Sequence, residues 1–468
     1  MARIQLFGMG MASKSPYVTA KNPQNMYFET RPAGEKSTIV GYKTPGLVSF
    51  VDGGTSPARA LYAFDKNESA YAVFQNKFYQ VGAAGSLTAI GTLLTFTGQC
   101  SIADNGNQIM IVDGTFGYIY NTTTGVFSQI TDTDFPASPT TVTFLAGRFI
   151  VTFAQQSRFY WSDAYDGLSW DALNFANAET NPDPNVAVWN LNGQAVLFGT
   201  RTTEFFGVST DTNQAFASIQ GTATKWGLAA IWSVAEYDNS LAFLARNKLG
   251  QVMIAKLDGY SPLKLSNPDV DNIINGYSTV SDAVAYSYML GGHAMYVINF
   301  PTAGDTWLYD GFTQIWSRLK SFGITRHRSN LGISFMTYTI VSDYSNGMLY
   351  RLTNTAYTDN GDQIESQIIS ENVSDPDLLQ LSIGKVRVDM QVGMGDPGLE
   401  RPQIGLSVSR DNGRTYGAEM LVDVGPTGNY RRVVEWNRLG TSRDFVFKLR
   451  MNDPFSFTLI SATINPDN

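Results

Sequence analysis

The pattern that decides the fold is seen in 109-IMIVDGTFGYIY-120, where two apolar runs flank an Asp-Gly turn. Such an arrangement is typical of a β-hairpin, because Asp-Gly accepts the positive φ angles that a tight turn requires. Similar pairs of apolar runs around a polar turn recur at 71–81, 148–162, 194–208, 241–257, 295–310 and 339–352. The middle of the chain is therefore predicted to consist of successive hairpins.

The spacing of these hairpins indicates how they are arranged. They follow one another at roughly 40 to 50 residues, the repeat length of a propeller blade built from four strands. One hairpin cannot bury its own apolar faces, whereas a closed ring of them can. The sequence thus predicts an all-β chain with a β-propeller. We count seven hairpins, but one of them could belong to a junction, so both six and seven blades fit.

The N-terminal region is predicted to consist of an arm and a closing strand. Residues 1–37 contain Pro16, Pro23 and Pro32 and lack sustained periodicity, so we expect an extended arm. The stretch 38–51 has the pattern of two strands, and it could donate a strand that closes the ring and covers its exposed edge. We place the propeller at 38–364.

The pattern changes near residue 365. The stretches 386–392 and 445–451 alternate apolar and polar side chains, as strands do when one face is buried. We therefore predict an antiparallel β-sandwich at 365–468, which is long enough for one core. Helical periodicity is nearly absent, and only 268–278 is predicted to form a short helix, capped by Asp269.

Composition and charge narrow the possible functions. Charged residues make up only 16% of the chain, which indicates that much of the surface is hidden against neighbouring molecules. The net charge of −8 argues against a protein that grips DNA phosphates. An acidic wall would repel DNA, which suits a conduit, although a modest negative charge also keeps a protein soluble.

Residues that could hold a metal or a cofactor are scarce. Cys100 is the single cysteine, and His293 and His327 lie in different repeats, where each is expected to be structural. Phosphate-binding loops and zinc signatures are missing. No stretch approaches the roughly 20 apolar residues of a membrane span, and the N-terminus is a poor secretion signal. We expect no cofactor, no membrane segment and synthesis in the cytoplasm.

The sharpest local motif is 409-SRDNGRTYG-417, which resembles the Asp-box Ser-x-Asp-x-Gly-x-Thr-Trp with tyrosine in the last position. The residues that carry this hairpin motif are Ser409, Asp411, Gly413, Thr415 and Tyr416. Asp-boxes recur in sialidases, which are propellers, so a carbohydrate-binding or sialidase-like propeller protein is one candidate function. A sialidase would need an arginine cluster and a tyrosine–glutamate pair, and nothing in the repeats places such a set together. We predict no catalytic site.

Basic residues stand out against the acidic background. They could form a docking surface for an acidic partner or a neighbouring copy, or simply a solvated face of a sheet. The candidate docking residues are Arg326, Arg328, Arg431, Arg432, Arg443 and Lys448.

Both ends of the chain resemble one known family. The block 404–465 resembles the C-terminal region of phage packaged-DNA stabilisation proteins, and 189–209 is similar to a propeller strand pair of that family. The C-terminal matches are Gly428, Tyr430, Val433, Trp436, Arg438, Leu439, Gly440, Phe447, Leu449, Arg450 and Pro454. Near the start, 22-NPQNMYFET-30 resembles the Asn-x-Tyr-x-Glu arm of the family through Asn25, Tyr27 and Glu29.

The resemblance implies a structural protein in the virion tail of a short-tailed phage, assembled in the host cytoplasm, and not an enzyme. Members form a ring, usually a hexamer, below the portal and the head-to-tail adaptor. The ring prolongs the channel that retains the packaged genome and conducts it at ejection. The implied partners are sister copies, portal, adaptor, a tail fibre, tailspike or needle, and genomic DNA that passes without sequence-specific binding.

Overall fold

The computed structural model describes residues 2–4, 23–32, 39–64, 66, 68–153, 156–178, 183–211, 214–375, 377, 379–393 and 401–466. Within these residues seven sheets form a β-propeller and two further sheets form a β-sandwich, which confirms the predicted fold class. Four strands precede the first blade, namely β1 (Ala2–Ile4), β2 (Met26–Thr30), β3 (Ile39–Lys43) and β4 (Gly46–Asp52). Residues 1, 5–22 and 33–37 of the predicted arm lie outside the described part of the chain.

The first four blades are antiparallel sheets whose strands follow in chain order from the propeller axis to the rim. Blade 1 consists of β5 (Ala58–Phe64), β6 (Ser69–Phe74), β7 (Lys77–Val81) and β8 (Leu87–Thr92). Blade 2 consists of β9 (Ser101–Asp104), β10 (Gln108–Val112), β11 (Gly117–Asn121) and β12 (Phe127–Gln129). Blade 3 consists of β13 (Pro139–Leu145), β14 (Arg148–Phe153), β15 (Arg158–Asp163) and β16 (Asp166–Asn177), and blade 4 of β17 (Asn185–Leu191), β18 (Gln194–Gly199), β19 (Thr203–Val208) and β20 (Phe216–Ser218).

The last three blades complete the ring. Blade 5 consists of β21 (Trp226–Leu228), β22 (Ala235–Tyr237), β23 (Ser240–Asn247), β24 (Val252–Asp258) and β25 (Ser261–Lys264), with a 3-10 helix at Ile231–Ser233. Blade 6 consists of β26 (Val284–Leu290), β27 (His293–Phe300), β28 (Asp305–Asp310) and β29 (Ile315–Arg318). Blade 7 consists of β30 (Ser329–Phe335), β31 (Tyr338–Asp343), β32 (Met348–Thr353) and, from the N-terminal region, β4.

Strand β4 closes the propeller. It pairs antiparallel with β32, from Gly46 opposite Thr353 to Asp52 opposite Met348, which confirms the predicted closing strand. The seven predicted hairpins are the second and third strands of the seven blades, so the ring has seven blades. A separate hydrophobic cluster lies between each pair of neighbouring blades, and the ring therefore buries the apolar faces that an isolated hairpin would expose.

The sandwich follows a short hairpin, β33 (Thr358–Asp359) and β34 (Asp362–Gln363), that lies along β4. Its strands are β35 (Ser366–Ile369), β36 (Val373–Ser374), β37 (Leu381–Met390), β38 (Gln403–Ser409), β39 (Met420–Asp423), β40 (Val434–Ser442), β41 (Asp444–Met451) and β42 (Thr458–Pro466). One sheet has the order β2-β3-β42-β37-β40, with β1 also on β42, and the other has the order β35-β41-β38-β39, with β36 on β41. The side chains of Val386, Val388, Phe445 and Phe447 are buried between the sheets.

The strand pairing differs from the predicted boundary between arm and propeller at residue 38. Strand β3 pairs with β2 and with β42 of the sandwich, whereas β4, only two residues later, belongs to the propeller. Residues 26–30 likewise form a sandwich strand, with Met26 and Phe28 in its core. The chain therefore crosses from the sandwich to the propeller between Lys43 and Gly46. Local alternation predicts a strand but does not specify which sheet the strand joins.

The described residues contain one α-helix, α1 (Pro268–Asn275), between blades 5 and 6. Its cap is Asn267 rather than the expected Asp269, because Pro268 occupies the first helical position, where its missing N–H costs nothing. The side chain of Asn267 accepts hydrogen bonds from the backbone N–H groups of Asp269 and Val270. Among the helices of the described residues, none is long and apolar enough to cross a membrane.

Candidate functional site

The two domains are joined by main-chain hydrogen bonds through residues 23–25. On one side, Arg318 N donates to Pro23 O and Asn25 N donates to Arg318 O, both at 2.8 Å. On the other side, Gln24 and Gln367 exchange two N–H···O bonds of 2.9 and 3.0 Å. Residues 23–25 thus form a short strand between β29 of blade 6 and β35 of the sandwich. Hydrogen bonding is continuous across the junction, so the domains are coupled through their backbones.

Asn25 is the central residue of this junction. It is 1% exposed and has φ of 50°, a left-handed conformation that asparagine tolerates better than most residues. Its Nδ2 donates to Lys320 O and to Glu365 O, each at 2.8 Å, and its Oδ1 accepts from Lys320 N at 2.9 Å. Its backbone carbonyl accepts from Thr44 N and from Ser366 Oγ. Asn25 therefore links blade 6, the sandwich and the connection between β3 and β4.

The other two residues of the predicted arm motif lie beside Asn25. The ring of Tyr27 stacks on Tyr42, with centroids 5.3 Å apart, and its edge faces His293 at 6.1 Å. Burial raises the pKa of Tyr27 to about 12. Glu29 accepts hydrogen bonds from Tyr42 Oη at 3.2 Å and from Arg31 at 2.9 Å. These contacts give the motif a role in attaching β2 to β3 and to blade 6.

Buried ionisable groups surround the linker that leaves the propeller. Lys43, 8% exposed, donates to the carbonyl oxygens of Tyr357 and Asp453 at 3.3 and 3.1 Å. Asp359 is 1% exposed, and its Oδ2 accepts from Ser321 Oγ at 2.8 Å and lies 3.7 Å from His327 Nε2. Burial lowers the pKa of Lys43 to about 8 and lowers the pKa of His327 below its usual value.

The histidines and carboxylates do not assemble into a metal site. His293 Nδ1 lies 3.0 Å from Asp310 Oδ2, and both residues are buried in blade 6. His327 Nδ1 contacts Ser329 Oγ at 2.6 Å in blade 7. Within the described ranges, no group of three or more His, Cys, Asp or Glu side chains could hold a metal ion. Both histidines instead have neighbours within their own blades.

Replacing Lys43 by methionine is expected to change the pH dependence of stability. Between pH 8 and 10.5 the unfolded chain holds a proton on this lysine that the folded chain has released, so the wild type gains stability as the pH rises. Over this pH range, the free energy of unfolding of the wild type should rise by about 3 kcal/mol relative to that of Lys43→Met. Urea unfolding at several pH values measures it.

Lys256→Met is the matched control for this prediction, since the Lys256 side chain is partly exposed and pairs with Asp238 at 2.8 Å. The difference in the free energy of unfolding between this control and the wild type should change little over the same pH range. An equally small change in the difference for Lys43→Met would contradict the prediction.

The Asp-box-like motif forms a tight turn after β38. Asp411 Oδ1 accepts hydrogen bonds from the backbone N–H groups of Arg414 and Thr415 at 3.1 and 2.9 Å, and Ser409 Oγ donates to it at 2.7 Å. Gly413 has φ of 77°. Tyr416 packs beneath Lys448, whose Nζ lies 4.5 Å from the centre of the ring. These contacts stabilise the carboxylate, and they hold the pKa of Asp411 well below its usual range.

Asp411→Ala is expected to lower the unfolding temperature by about a few degrees at neutral pH. Because the folded-state pKa of Asp411 is depressed, the stabilisation by its carboxylate is present above about pH 4 and is lost as the pH falls toward the folded-state value. The difference between the wild type and the variant should therefore shrink in acid. Thermal melts at pH 7 and pH 3 test this, with Asp377→Ala, at an exposed position of the same domain, as the control.

The remaining positions of the C-terminal motif divide into structural and surface residues. Trp436 is buried, and its Nε1 donates to Met420 O at 2.7 Å, which ties β40 of one sheet to β39 of the other. Arg450 pairs with Glu419 and lies 3.6 Å from Glu365. Positive φ angles occur at Gly428, Arg438 and Gly440. Tyr430 and Val433 are 68% and 57% exposed.

The predicted docking surface is not a single patch. Arg326 is 6% exposed and stacks on Tyr344 with its guanidinium carbon 4.0 Å from the ring centre, so it cannot meet a partner. Arg328 is half-buried and pairs with Asp362. Their direct neighbours in the sequence, Thr325, His327 and Ser329, are polar and gave no sign of this burial. Lys448 packs on the Asp-box-like turn, as described above.

The exposed arginines of the set lie at two separate places. Arg431 and Arg432 belong to the loop before β40, and Arg443 follows β40. The nine residues of β40 extend over about 25–30 Å between them. Only Arg431 and Arg432 share a surface, and they do so with the exposed Tyr430 and Val433. We call this segment, residues 430–433, the sandwich loop.

The propeller encloses an axial cavity that sequence reasoning missed. It measures about 650 Å³ and is lined by all seven blades. Arg59 is the one arginine among its described lining residues. All five of its N–H groups donate at 2.6–2.8 Å, to the carbonyls of Gln75, Thr95, Thr97 and Gly98 and to Thr95 Oγ1. Arg59 is therefore committed to the loop between blades 1 and 2.

Two solved structures show the level of similarity to known folds. The computationally designed Ika8 protein is 12% identical with a TM-score of 0.40, and the match covers 75% of this chain and 99% of that chain. The Neurospora crassa Pan2 WD40 domain is 10% identical with a TM-score of 0.44, and the match covers 67% of this chain and 95% of that chain. Similarity this low supports no inference about function. Comparison with curated proteins finds no match.

Family models account for both domains. The model described as bacteriophage P22 Gp10, beta-propeller, matches residues 2–357. The model described as bacteriophage P22 Gp10, beta-sandwich, matches residues 375–466. The first match spans all seven blades and the second covers the strands β37 to β42. Since the two matches follow each other along nearly the whole sequence, the chain belongs to the bacteriophage P22 Gp10 family of packaged-DNA stabilisation proteins, which are structural proteins of the phage tail.

Proposed function

We propose that this protein forms the nozzle or hub ring of a short-tailed phage tail. The ring lies below the portal and adaptor, extends the DNA channel, retains the packaged genome and conducts it at ejection. The observation that carries the proposal is the match of both domains to one family of phage tail structural proteins. This family match supports a structural role in the virion and no catalytic role.

The coupling of the two domains supports this role. A wall that holds packaged DNA must keep its shape under load, so its domains must not swing freely. The backbone bonds of residues 23–25 and the buried hydrogen bonds of Asn25 join propeller and sandwich at several points. A subunit built in this way can transmit force from one domain to the other.

The size of the axial cavity supports a channel between subunits. The major groove of a DNA duplex is by itself about 12 Å wide. A cylinder of that width with the volume of the cavity, about 650 Å³, would be only about 6 Å long. A duplex therefore cannot pass along the propeller axis. A DNA channel requires several copies around a common axis, and we propose a hexamer. The net charge of −8 fits a wall over which DNA slides without binding.

The sandwich loop is the proposed contact with a neighbouring copy or with the adaptor. Tyrosine and arginine are enriched at protein interfaces, and Tyr430, Arg431 and Arg432 present both types on one exposed segment. The acidic balance of the chain offers complementary charge on sister copies. A tail fibre, tailspike or needle is a further proposed partner.

Negative-stain imaging of the purified protein, alone and mixed with portal and adaptor, tests the proposal. We expect rings on the adaptor, and we expect Tyr430→Ala combined with Arg431→Ala to weaken them. Leu249→Ala, at an exposed turn of blade 5, is the matched control and should leave the rings intact. A protein that stays monomeric and ignores the portal–adaptor complex would refute the proposal.

The alternative of a sialidase-like protein finds less support. Recognition of a sialic acid carboxylate calls for arginine donors, and the donors of Arg59 are all engaged with loop 95–98 and with Gln75. Turnover of a sialoside by the purified protein would reverse this preference.

A further inference from the structure

A second pocket adjoins the axial cavity on the propeller face that carries the turns between the first and second strands of each blade. It measures about 370 Å³ and is lined by blades 4, 5 and 6 and by Ser334 of blade 7. Glu236, Ser287 and Ser334 line both spaces. The two spaces therefore adjoin at these residues, and together they form what we call the axial cleft. Spaces of this size, concave and with mixed lining, are typical of small-molecule sites.

Two tryptophans are among the aromatic residues that line the axial cleft, which also include Tyr62, Phe64, Tyr237, Tyr286 and Tyr288. Trp189 lies on β17 and Trp232 on the 3-10 helix Ile231–Ser233, and both are partly exposed. Tryptophan N–H groups usually find a hydrogen-bond partner when a side chain is buried. Within the described residues, neither of these indole N–H groups donates to a protein acceptor. Both residues thus line the cleft, and each indole keeps an N–H donor that no described protein acceptor uses.

Unpaired polar groups line the outer part of the axial cleft. Asn192 and Asn239 occupy turns in blades 4 and 5, with φ of 50° and 56°, and both are exposed. In the described structure their side-chain amides make no hydrogen bond, nor does the carboxylate of Glu236. An amide provides two donors and an acceptor, so the rim can satisfy ligand hydroxyl groups in either direction.

The charges around the axial cleft select against an anionic ligand. Glu236 and Asp238 line the outer pocket, and Asp104 lines the axial cavity. Of the basic residues that line the cavity, Lys66 donates hydrogen bonds to Gly106 O and Asn107 Oδ1, and all N–H groups of Arg59 donate to the loop between blades 1 and 2 or to Gln75. Asp238 pairs with Lys256, whereas Glu236 and Asp104 have no ion pair with a basic side chain within the described residues, so a negatively charged ligand would meet these two carboxylates.

We propose that the axial cleft binds a neutral saccharide of two or more units. Sugar rings combine an apolar face, which stacks on an indole, with hydroxyl groups that pair with indole N–H groups and with amides. Trp189 and Trp232 supply the stacking faces, and Asn192, Asn239 and Glu236 supply the polar contacts. A saccharide site at this position would let a tail protein contact glycans of the host surface independently of its role in the ring.

Isothermal titration calorimetry with the full-length protein tests this inference. The probes are two neutral disaccharides, lactose and the dimer of N-acetylglucosamine, and the anionic sialyllactose. We expect saturable binding of at least one neutral probe and weaker binding of sialyllactose. Absence of saturable binding by both neutral probes, or binding of sialyllactose alone, would overturn the proposal.

Variants locate the site. Trp232→Ala should weaken binding about tenfold or more, since an aromatic stacking contact contributes at about that level. Asn239→Gly removes the amide and keeps the positive φ of the turn, so it should fold normally and still weaken binding. Tyr165→Ala is the matched control, an exposed aromatic residue outside the cleft. Unchanged affinity in both folded cleft variants would refute the site.

Discussion

A chain that begins at Gly53 is expected to lose its folded propeller, whereas a chain that begins at Thr44 should keep it. The two truncations differ by the residues that form β4. Without β4, the edge of β32 has no partner, and exposed strand edges invite aggregation. Val51 also leaves the cluster between blades 7 and 1, and Leu47 leaves the cluster between blades 6 and 7. The propeller then cannot close.

Both truncations remove β2 and β3, so damage to the sandwich is common to them and cancels in the comparison. Gel filtration and near-UV circular dichroism should show a soluble, packed propeller in the longer chain and aggregated material in the shorter one. In the full-length protein, Val51→Asp should destabilise the propeller by about 3 kcal/mol or more, because it buries a charge without a partner. Cooperative melting of the chain that begins at Gly53, at an unchanged temperature, would contradict this account.

Asn25→Ala is expected to uncouple the two domains. The substitution removes three side-chain hydrogen bonds, deprives the backbone N–H of Lys320 of its acceptor, and places alanine at φ of 50°. The combined cost should be about 3 kcal/mol or more. Because residues 23–25 couple the domains, scanning calorimetry of the variant should resolve two transitions in place of a single one.

Two further variants separate the causes of this effect. Glycine accepts the left-handed backbone, so Asn25→Gly removes only the side-chain hydrogen bonds. This variant should still show most of the decrease in the free energy of unfolding that Asn25→Ala shows. Asn192→Ala is the matched control, since Asn192 has the same φ of 50° but lies at an exposed turn without a side-chain hydrogen bond in the described structure. It should cost about 1 kcal/mol. Equal effects of Asn25→Ala and Asn192→Ala would show that backbone strain, not the junction bonds, is responsible.

Much of the propeller could be predicted from the chain because its signals are local. Each hairpin, such as 109–120, combines alternation with a turn residue that accepts positive φ, and both properties act within a few residues. The repeat length then gave the architecture, since blades of equal size close into a ring. The blade number remained open at six or seven because counting hairpins does not show which of them join the ring.

The burial of single side chains was much harder to predict. Arg326 looked like a surface residue, yet it packs under Tyr344, because a long side chain can bury its stem beside an aromatic ring while its charged end finds Asn330. Trp189 and Trp232 were not singled out, because they lie on different blades and only ring closure brings them into one cavity.

The amino-acid order alone determined the all-β class, the repeated hairpins, the closing strand and the two family motifs, because these depend on neighbours within one strand or turn. Only the tertiary structure decided that β3 pairs in the sandwich, that Asn25 joins the two domains, and that seven blades enclose a cleft. These features depend on contacts between residues far apart in the chain, such as Asn25 and Lys320 or Asn25 and Glu365. No local pattern encodes the partner in such a contact.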